Sequence, residues 1–458
     1  MIALENFVLQ MPTKRSDSGA IERVVNIITL GCDKNRVDSE QLAAQLRNNG
    51  FNVLWDAPKS CPITLINTCG FINDAKQQSI DTILRCEEEK KKGKIRLLIV
   101  FGCLSQRYGS ELAKEIPDAD AWFGVNDLTN ILTYLQAETD PQRMSDRMLS
   151  TPSHYAYLKI SEGCSHNCAF CAIPKIRGKH RSKPIEMVLQ EAQLLAAKGV
   201  QELILVAQDL SSYGTDLYHK PCLAKLLDSL AQLPFRWIRL HYVYPNHFQT
   251  DVLKVMQNYP NICHYLDIPL QHINDGILQS MRRNITGSEI RQLIDTIRKE
   301  VPDIALRTSL IVGYPGETKK VFNELVSFVE ETRFERLGVF TYSHEENTIA
   351  YALPDRISQK EKEKRKEEIM WLQQDISLQL NQAKVGTTME VLIDKQTRTH
   401  FEGRTRYDSP EVDNNVLLSR RKNQCAIGGF YPVKILSADA FDLTGEIIDL
   451  NREPEQRA

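Results

Sequence analysis

The sequence has no run of the roughly 18 consecutive apolar residues that a membrane-spanning helix needs, which excludes an integral membrane protein of that kind. Its first residues lack the basic start and long apolar core of a secretory signal, so we expect a cytoplasmic protein. The formal net charge is only −2, which excludes a protein whose main function is binding nucleic acid through broad electrostatic attraction.

Cysteine is too sparse for a secreted disulfide scaffold, because the chain has only eleven in 458 residues. Eleven is also odd, so the cysteines cannot all pair within the chain. The hydrophobic share of 42% and charged share of 25% are ordinary for globular proteins, and the length predicts about three domains. We therefore expect an intracellular protein whose cysteines serve metal binding or catalysis.

Residues 1–22 are polar and unpatterned, and we predict an unstructured extension there. Strand and helix patterns alternate over residues 23–140, with strands in VVNIITLGC, PITLINTCG and RLLIVFGC. Such alternation predicts βαβ units and a parallel sheet with both faces covered. A polar, proline-punctuated linker is predicted over residues 136–153.

A second βα series follows over residues 150–384, with six strand patterns from YAYLKI to RLGVFTYS. This length favours a partial (βα)6, TIM-like barrel, and such barrels place their chemistry at the carboxyl ends of the strands. Ser358 and Glu361 form an S-x-x-E capping box before a long charged helix that we expect to reach about Lys384. Residues 385–452 show short alternating strands typical of a small β-barrel of OB-like size.

The strongest motif is C-x3-C-x2-C at Cys164, Cys168 and Cys171, directly after the first barrel strand. Three thiolates on one short loop can hold three irons of a 4Fe–4S cluster and leave the fourth iron open to a ligand. The alternative is a zinc site with His166 as the fourth ligand, although zinc sites usually carry two paired C-x2-C motifs, which this chain lacks.

A second set of cysteines, Cys32, Cys69 and Cys103, ends the three N-terminal strands, each beside a glycine. The carboxyl ends of parallel strands converge at one sheet edge, so these cysteines should meet in space. A single free cysteine is more often a small core residue, but three in the same topological position favour a second cluster. The remaining cysteines lack such a pattern and are predicted to be packing residues: Cys61, Cys86, Cys222, Cys263 and Cys425.

The C-x3-C-x-Φ-C motif, with Phe170 as the aromatic residue Φ, resembles the signature of radical S-adenosylmethionine enzymes. In that family the open iron binds S-adenosylmethionine, whose reductive cleavage releases a radical able to attack an unactivated carbon–hydrogen bond. With the flanking domains, the chain resembles the methylthiotransferases, and its terminal barrel looks like a TRAM domain. The segments that resemble the RimO branch are NTCGFI (67–72), SEGCSHNCAFCAIPKIRGKHRS (161–182), HYVYPNHF (241–248) and FTYSHEENT (340–348).

The resemblance implies methylthiolation of the β-carbon of an aspartate in ribosomal small-subunit protein twelve. It also implies two 4Fe–4S clusters per chain, S-adenosylmethionine as both radical source and methyl donor, and an external electron donor. It assigns the six cysteines as iron ligands and no catalytic side chain. The implied cofactor-binding residues are Phe170, Gln208, Arg307, Ser309, Gly313, Glu317, Phe340 and Tyr342.

Two other functions remain open at the level of sequence. The sister branch modifies an adenosine in transfer RNA, and a non-enzymatic iron–sulfur or zinc RNA adaptor is the third possibility. Residues 385–458 carry 10 Lys+Arg and 12 Asp+Glu, whereas a module that grips RNA should be basic. A mildly acidic module better suits a basic ribosomal protein, although Arg404, Arg406, Arg420 and Arg421 keep an RNA contact open.

Overall fold

The computed structural model describes residues 23–246, 248–421 and 423–448. The predicted extension over residues 1–22 and the last residues of the predicted terminal barrel lie outside these ranges. No helix in the described part of the chain is long and apolar enough to cross a membrane.

The first unit is a five-stranded parallel sheet with the strand order β2-β1-β3-β4-β5. Its elements are β1 (Val24–Thr29), α1 (Asp33–Asn48), β2 (Asn52–Trp55), β3 (Ile63–Thr68), α2 (Asn73–Lys91), β4 (Leu97–Gly102), α3 (Cys103–Glu115), β5 (Ala121–Trp122) and α4 (Leu128–Tyr134). The three predicted strands are confirmed as β1, β3 and β4. The short β2 and β5 were missed, because four and two residues carry too little periodicity to stand out.

The second unit is a six-stranded parallel sheet with the order β13-β12-β11-β10-β9-β6. Its elements are β6 (Tyr155–Lys159), β7 (Ser161–Glu162), α5 (Ile173–Ile176), β8 (Arg181–Ser182), α6 (Ile185–Ala197), β9 (Glu202–Val206), α7 (Leu223–Leu230), β10 (Trp237–Leu240), α8 (Asp251–Asn258), β11 (Ile262–Asp267), α9 (Asp275–Ser280), α10 (Gly287–Glu300), β12 (Ala305–Val312), α11 (Lys319–Thr332), β13 (Arg336–Thr341) and α12 (Gln359–Gln382). Its two edge strands do not pair with each other, so the predicted partial barrel is confirmed.

Strand β12 shows how the barrel divides its two faces. Leu306, Leu310 and Val312 are buried in the core beneath the surrounding helices. Arg307 and Ser309 lie on the opposite face of the strand, because successive side chains of a strand alternate. Polar groups placed in this way can meet a ligand without disturbing the apolar layer.

Helix α12 begins where the sequence predicts, with the Ser358 hydroxyl accepting a hydrogen bond from the Glu361 amide at 3.3 Å. The reciprocal half of the predicted capping box does not form, because the Glu361 carboxylate bonds Arg365 at 2.9 Å instead. A full capping box does occur at α10, between Thr286 and Glu289.

The third unit is a closed five-stranded barrel in the order β14-β15-β16-β18-β17, as predicted. Its strands are β14 (Thr388–Gln396), β15 (His400–Thr405), β16 (Asn415–Ser419), β17 (Phe430–Ala438) and β18 (Asp442–Ile447). Closure leaves no sheet edge unpaired, which lets a module of this size bury a core of its own.

The segment predicted as a linker, residues 136–153, is firmly packed. Arg147 is fully buried and bonds Glu40 of α1, and it bonds Glu191 of α6 at 2.9 Å. One guanidinium therefore ties the first unit to the second. Composition alone did not signal this, because an arginine in a polar stretch is usually exposed.

Replacing Arg147 with Met should lower the free energy of unfolding by about 3–5 kcal/mol, since it leaves two buried carboxylates without their counter-charge. Urea unfolding monitored by far-UV circular dichroism measures this. The control is Arg143→Met, because Arg143 lies in the same segment with 58% of its side chain exposed, and we expect a change within about 0.5 kcal/mol. Equal effects of the two substitutions would show that the buried ion pairs contribute nothing specific.

Candidate metal centres and cofactor site

The loop that carries Cys164, Cys168 and Cys171 follows β7 at the carboxyl end of the first barrel strand, as predicted. Backbone hydrogen bonds fix its shape: the Cys171 amide bonds the Cys168 carbonyl at 3.1 Å, and the Cys164 amide bonds the Gly178 carbonyl at 3.0 Å. All three cysteines are partly buried.

Two of these thiols accept a hydrogen bond from the amide two residues further along, Cys164 from His166 and Cys171 from Ile173. Burial raises the pKa of Cys164 to about 11 and that of Cys171 to about 12, and the amides partly offset the shift. A metal cluster binds the thiolate, so loading this loop must release protons. Hydrogen bonds from amides to sulfur are also among the factors that set the reduction potential of an iron–sulfur cluster.

Aromatic and cationic side chains enclose Cys168. Its Sγ lies 3.7 Å from the Tyr244 hydroxyl and 3.5 Å from Arg283 Nη1. His166, the alternative zinc ligand, stacks on Tyr244 and bonds Asp209 through Nε2 at 2.8 Å. The carboxylate of Asp209 therefore holds the imidazole in place beside the loop.

The second set of cysteines stands at the carboxyl ends of three neighbouring strands of the N-terminal sheet, and their binding of a common cluster stays a prediction. Cys32 and Cys103 stand at the starts of α1 and α3, and Cys69 follows β3. Gly31 and Gly102 adopt φ of +93° and +99°, a region that side chains other than glycine rarely occupy. A Cβ on Gly31 would stand 2.7 Å from the Cβ of Cys69, so the glycine permits the close approach of the two turns.

The turns that carry these thiols are held from both sides. The Ser79 hydroxyl bonds both the amide and the carbonyl of Cys69, at 3.0 and 2.9 Å. Burial raises the pKa of Cys103 to about 12, and Cys69 is shifted in the same direction, with the Phe71 amide donating to its sulfur. The chemistry of this donor set, three thiols with an amide donor on converging turns, fits a cluster bound by three cysteines.

No group of three or more His, Cys, Asp or Glu side chains within residues 23–246, 248–421 and 423–448 converges on a point that could hold a single metal ion. The fit of both cysteine sets to iron–sulfur clusters therefore rests on their placement and their amide donors.

Three of the predicted cofactor contacts lie toward the open face of the barrel. Gln208 donates to Glu162 at 3.3 Å, while its Oε1 is buried and has no partner among the described residues. Such an orphan acceptor fits the amino group of a bound amino acid. Ser309 is half-buried on the face of β12 opposite the apolar core, and Phe340 near the end of β13 is 49% exposed.

Three further predicted contacts, Arg307, Gly313 and Glu317, are bonded to other residues of the same chain. Arg307 pairs with Asp267 at 3.3 Å and with Asp413 of the terminal barrel at 3.5 Å. Glu317 bonds Arg365 of α12 at 2.7 Å and accepts from the Gly313 amide at 2.9 Å. Their roles in binding the cofactor stay predictions.

An apolar cluster next to the cysteine loop contains the last two predicted contacts, Phe170 and Tyr342. Tyr342 is buried and packs edge-on against Tyr314, with ring centroids 5.1 Å apart. This packing anchors the loop from beneath, and a contact of either ring with the cofactor stays a prediction.

Sequence reasoning missed the polar residues that surround the sites, chiefly Glu162 and Arg177. The only signal was that both fall within the stretch SEGCSHNCAFCAIPKIRG, which also carries the three cysteines of the loop. The predicted packing cysteines are confirmed in the core, since Cys61, Cys86, Cys222 and Cys263 are all buried. Cys425 packs against the core of the terminal barrel.

Models of three families match the chain in order. Residues 24–124 match the uncharacterized protein family UPF0004, residues 158–329 match the radical SAM superfamily, and residues 385–448 match the TRAM domain. The three matches coincide with the three units of the fold. Fold and site together define a radical SAM protein with an N-terminal cysteine-bearing domain and a TRAM barrel.

Relatives named ribosomal protein uS12 methylthiotransferase RimO match nearly the full chain. The protein from Christiangramia forsetii is 50% identical over 94% of this chain and 96% of the relative. That from Cytophaga hutchinsonii is 52% identical over 93% of this chain and 98% of the relative. The chain belongs to the ribosomal protein uS12 methylthiotransferase RimO family.

A solved structure supports the same fold at low sequence identity. The radical S-adenosylmethionine methyltransferase TsrM from Kitasatospora setae, with cobalamin and a 4Fe–4S cluster bound, is 13% identical. The similarity has a TM-score of 0.51 and covers 70% of this chain and 75% of that protein.

Proposed function

We propose that this protein is a radical S-adenosylmethionine methylthiotransferase that adds a methylthio group to the β-carbon of an aspartate in ribosomal protein uS12. The observation that supports the proposal is the direct contact, across one junction, between the segments that carry the two three-cysteine sets: Cys103 packs against Ala172 and Ile176. Arg177, six residues after Cys171, hydrogen-bonds Asn35, three residues after Cys32, at 2.5 Å. One set then serves radical generation and the other serves sulfur supply.

In this proposal Cys164, Cys168 and Cys171 hold one 4Fe–4S cluster, and Cys32, Cys69 and Cys103 hold the other. S-adenosylmethionine bound at the first cluster supplies the radical that an unactivated carbon–hydrogen bond requires. Gln208, Ser309 and Phe340 line its binding place, with the unpartnered Gln208 Oε1 accepting from the amino group. An external electron donor is required.

The junction between the two sites is closed by side chains of the loop after β13. Glu345 is 2% exposed and bonds Lys76 at 2.9 Å and Arg107 at 3.1 Å. Arg107 also donates to the Gly70 carbonyl at 2.7 Å, directly beside Cys69. This contact holds the Cys69 turn against the loop after β13.

Charge favours a protein substrate over RNA. The terminal barrel is mildly acidic, and two of its four candidate arginines face the radical SAM unit instead of solvent. Arg404 is buried against Glu202, and Arg406 donates to the Ile262 carbonyl at 2.7 Å. A basic ribosomal protein complements such a surface, and action on the ribosome implies a cytoplasmic location.

The substrate is tested by measuring the intact mass of ribosomal protein uS12 from cells with and without this gene. We expect one methylthio group on uS12 only when the gene is present, with the modified position located by fragmentation at an aspartate. Digested transfer RNA from the same two strains is the control. A methylthio group that depends on the gene in transfer RNA, with uS12 unchanged, would rule out the proposed substrate.

A further inference from the structure

Arg177 lies between the two cysteine sets and is buried, with 2% of its side chain exposed. It caps the short helix α5, which follows the loop of Cys164, Cys168 and Cys171. Its Nη1 donates to Glu162 of the barrel at 2.8 Å. Its Nη2 donates to two residues of α1, Asn35 at 2.5 Å and Asp38 at 3.1 Å. The planar guanidinium of Arg177 therefore bridges the junction between the two units.

The same guanidinium adjoins the thiols of the N-terminal set. Asn35 Oδ1, which accepts from Arg177, lies 3.6 Å from Cys103 Sγ. Cys103 also packs against Ala172 and Ile176, which lie at the two ends of the short helix that Arg177 caps. Among the polar contacts of Arg177 in the described part of the chain, none joins it to a thiol of the barrel loop.

The neighbours of Arg177 already balance its charge before any cluster binds. Lys159 bonds both Asp38 and Glu162, so two cations face two carboxylates in one buried group. A cluster held by three thiolates adds negative charge, and reduction adds more. In a buried setting a fixed cation nearby stabilises that added negative charge. Because the reduced cluster is the more negative one, such a cation raises the reduction potential of the cluster.

We propose that Arg177 is a positioning residue of the N-terminal cluster, which holds α1 and the Cys103 turn against Glu162 and raises the reduction potential of that cluster. The inference rests on the proposed function, because it needs a cluster at Cys32, Cys69 and Cys103. Arg177 then has two separable roles. Its charge raises the reduction potential of the cluster, and its planar guanidinium fixes the distance between the two sites.

The charge is tested in full-length protein with Cys164, Cys168 and Cys171 replaced by Ala, so that only the N-terminal cluster gives a signal. Redox titration followed by electron paramagnetic resonance should show a lower potential for Arg177→Gln and nearly the original potential for Arg177→Lys. The matched control is Lys175→Gln, since Lys175 lies on the same helix but is exposed, and it should change nothing.

The fork is tested in the protein with both clusters loaded. Lysine keeps the charge but cannot hold two acceptors in a fixed plane, so Arg177→Lys should retain S-adenosylmethionine cleavage while methylthiolation falls about tenfold or more. The expected signature is thus an unchanged potential with a loss of product. Equal loss of cleavage and product would contradict a role at the N-terminal cluster.

The remaining outcomes also decide whether the proposed role of Arg177 holds. An unchanged potential in Arg177→Gln at full iron content overturns the inference, as does an equal shift of the barrel cluster measured with Cys32, Cys69 and Cys103 replaced by Ala. If Arg177→Gln fails to load the N-terminal cluster, loading by Arg177→Lys supports the inference, and failure of both variants overturns it. An iron content of about four per unaltered chain would instead refute the second cluster and with it the proposed function.

Discussion

Replacing Cys168 with Ala should abolish cleavage of S-adenosylmethionine, and methylthiolation with it. Loss of an outer contact of a metal ligand typically costs 10- to 100-fold, so removal of a ligand itself should exceed about a hundredfold. Cys168 is the middle cysteine of the loop, and its sulfur lies against Arg283 and Tyr244. The neighbouring thiols of the loop, Cys164 and Cys171, would already be engaged by the same cluster.

The measurement is release of 5′-deoxyadenosine under reducing, anaerobic conditions, together with iron and sulfide analysis. Cys222→Ala is the matched control, because Cys222 is a buried cysteine of the same unit with a packing role. It should cleave S-adenosylmethionine at close to the original rate. Cleavage at that rate by the Cys168 variant would show that the loop does not hold the reactive cluster.

Replacing Cys69 with Ala should abolish methylthiolation alone: S-adenosylmethionine is still cleaved, but no methylthio group is added to uS12. The iron content should fall from about eight to about four per chain, since only the N-terminal cluster is lost. Cys69 stands on a turn fixed by Ser79 and by the Arg107 contact to Gly70, so the substitution removes a thiol without loosening the barrel.

Cys86→Ala is the control for this experiment, as Cys86 is buried in the same unit on α2. It should keep both activities and the full iron content. If the Cys69 variant still formed methylthiolated uS12, the N-terminal set would not be the sulfur site. Read together, the Cys168 and Cys69 variants separate radical generation from sulfur supply.

Apart from the short β2 and β5, the strands of both parallel sheets were predictable because each is a largely apolar run between helical patterns. That pattern follows directly from burial of both sheet faces. The sequence predicted a complete capping box at Ser358, and only half of it forms, because the Glu361 carboxylate accepts from Arg365 one turn further along α12. Packing of the segment over residues 136–153 was not predictable, since the partners of Arg147 lie far away in the chain.

The six cysteines of the candidate sites were predictable for two different reasons. Cys164, Cys168 and Cys171 are close in sequence, so their spacing alone brings them onto one loop. Cys32, Cys69 and Cys103 are far apart in sequence, but parallel pairing of β1, β3 and β4 puts the ends of those strands side by side. A regular sheet converts a repeated sequence position into proximity.

By itself, the sequence determined the three units, their order and the two sets of thiols, because strand periodicity and cysteine placement are local or regular features. Only the tertiary structure decided which residues join the two units that carry these sets. The packing of α1 against β6 brings Asn35 and Asp38 within reach of Arg177, and no local pattern encodes that contact. The physical reason is that a buried charge must find its partners wherever the folded chain places them, and in this protein those partners belong to different units.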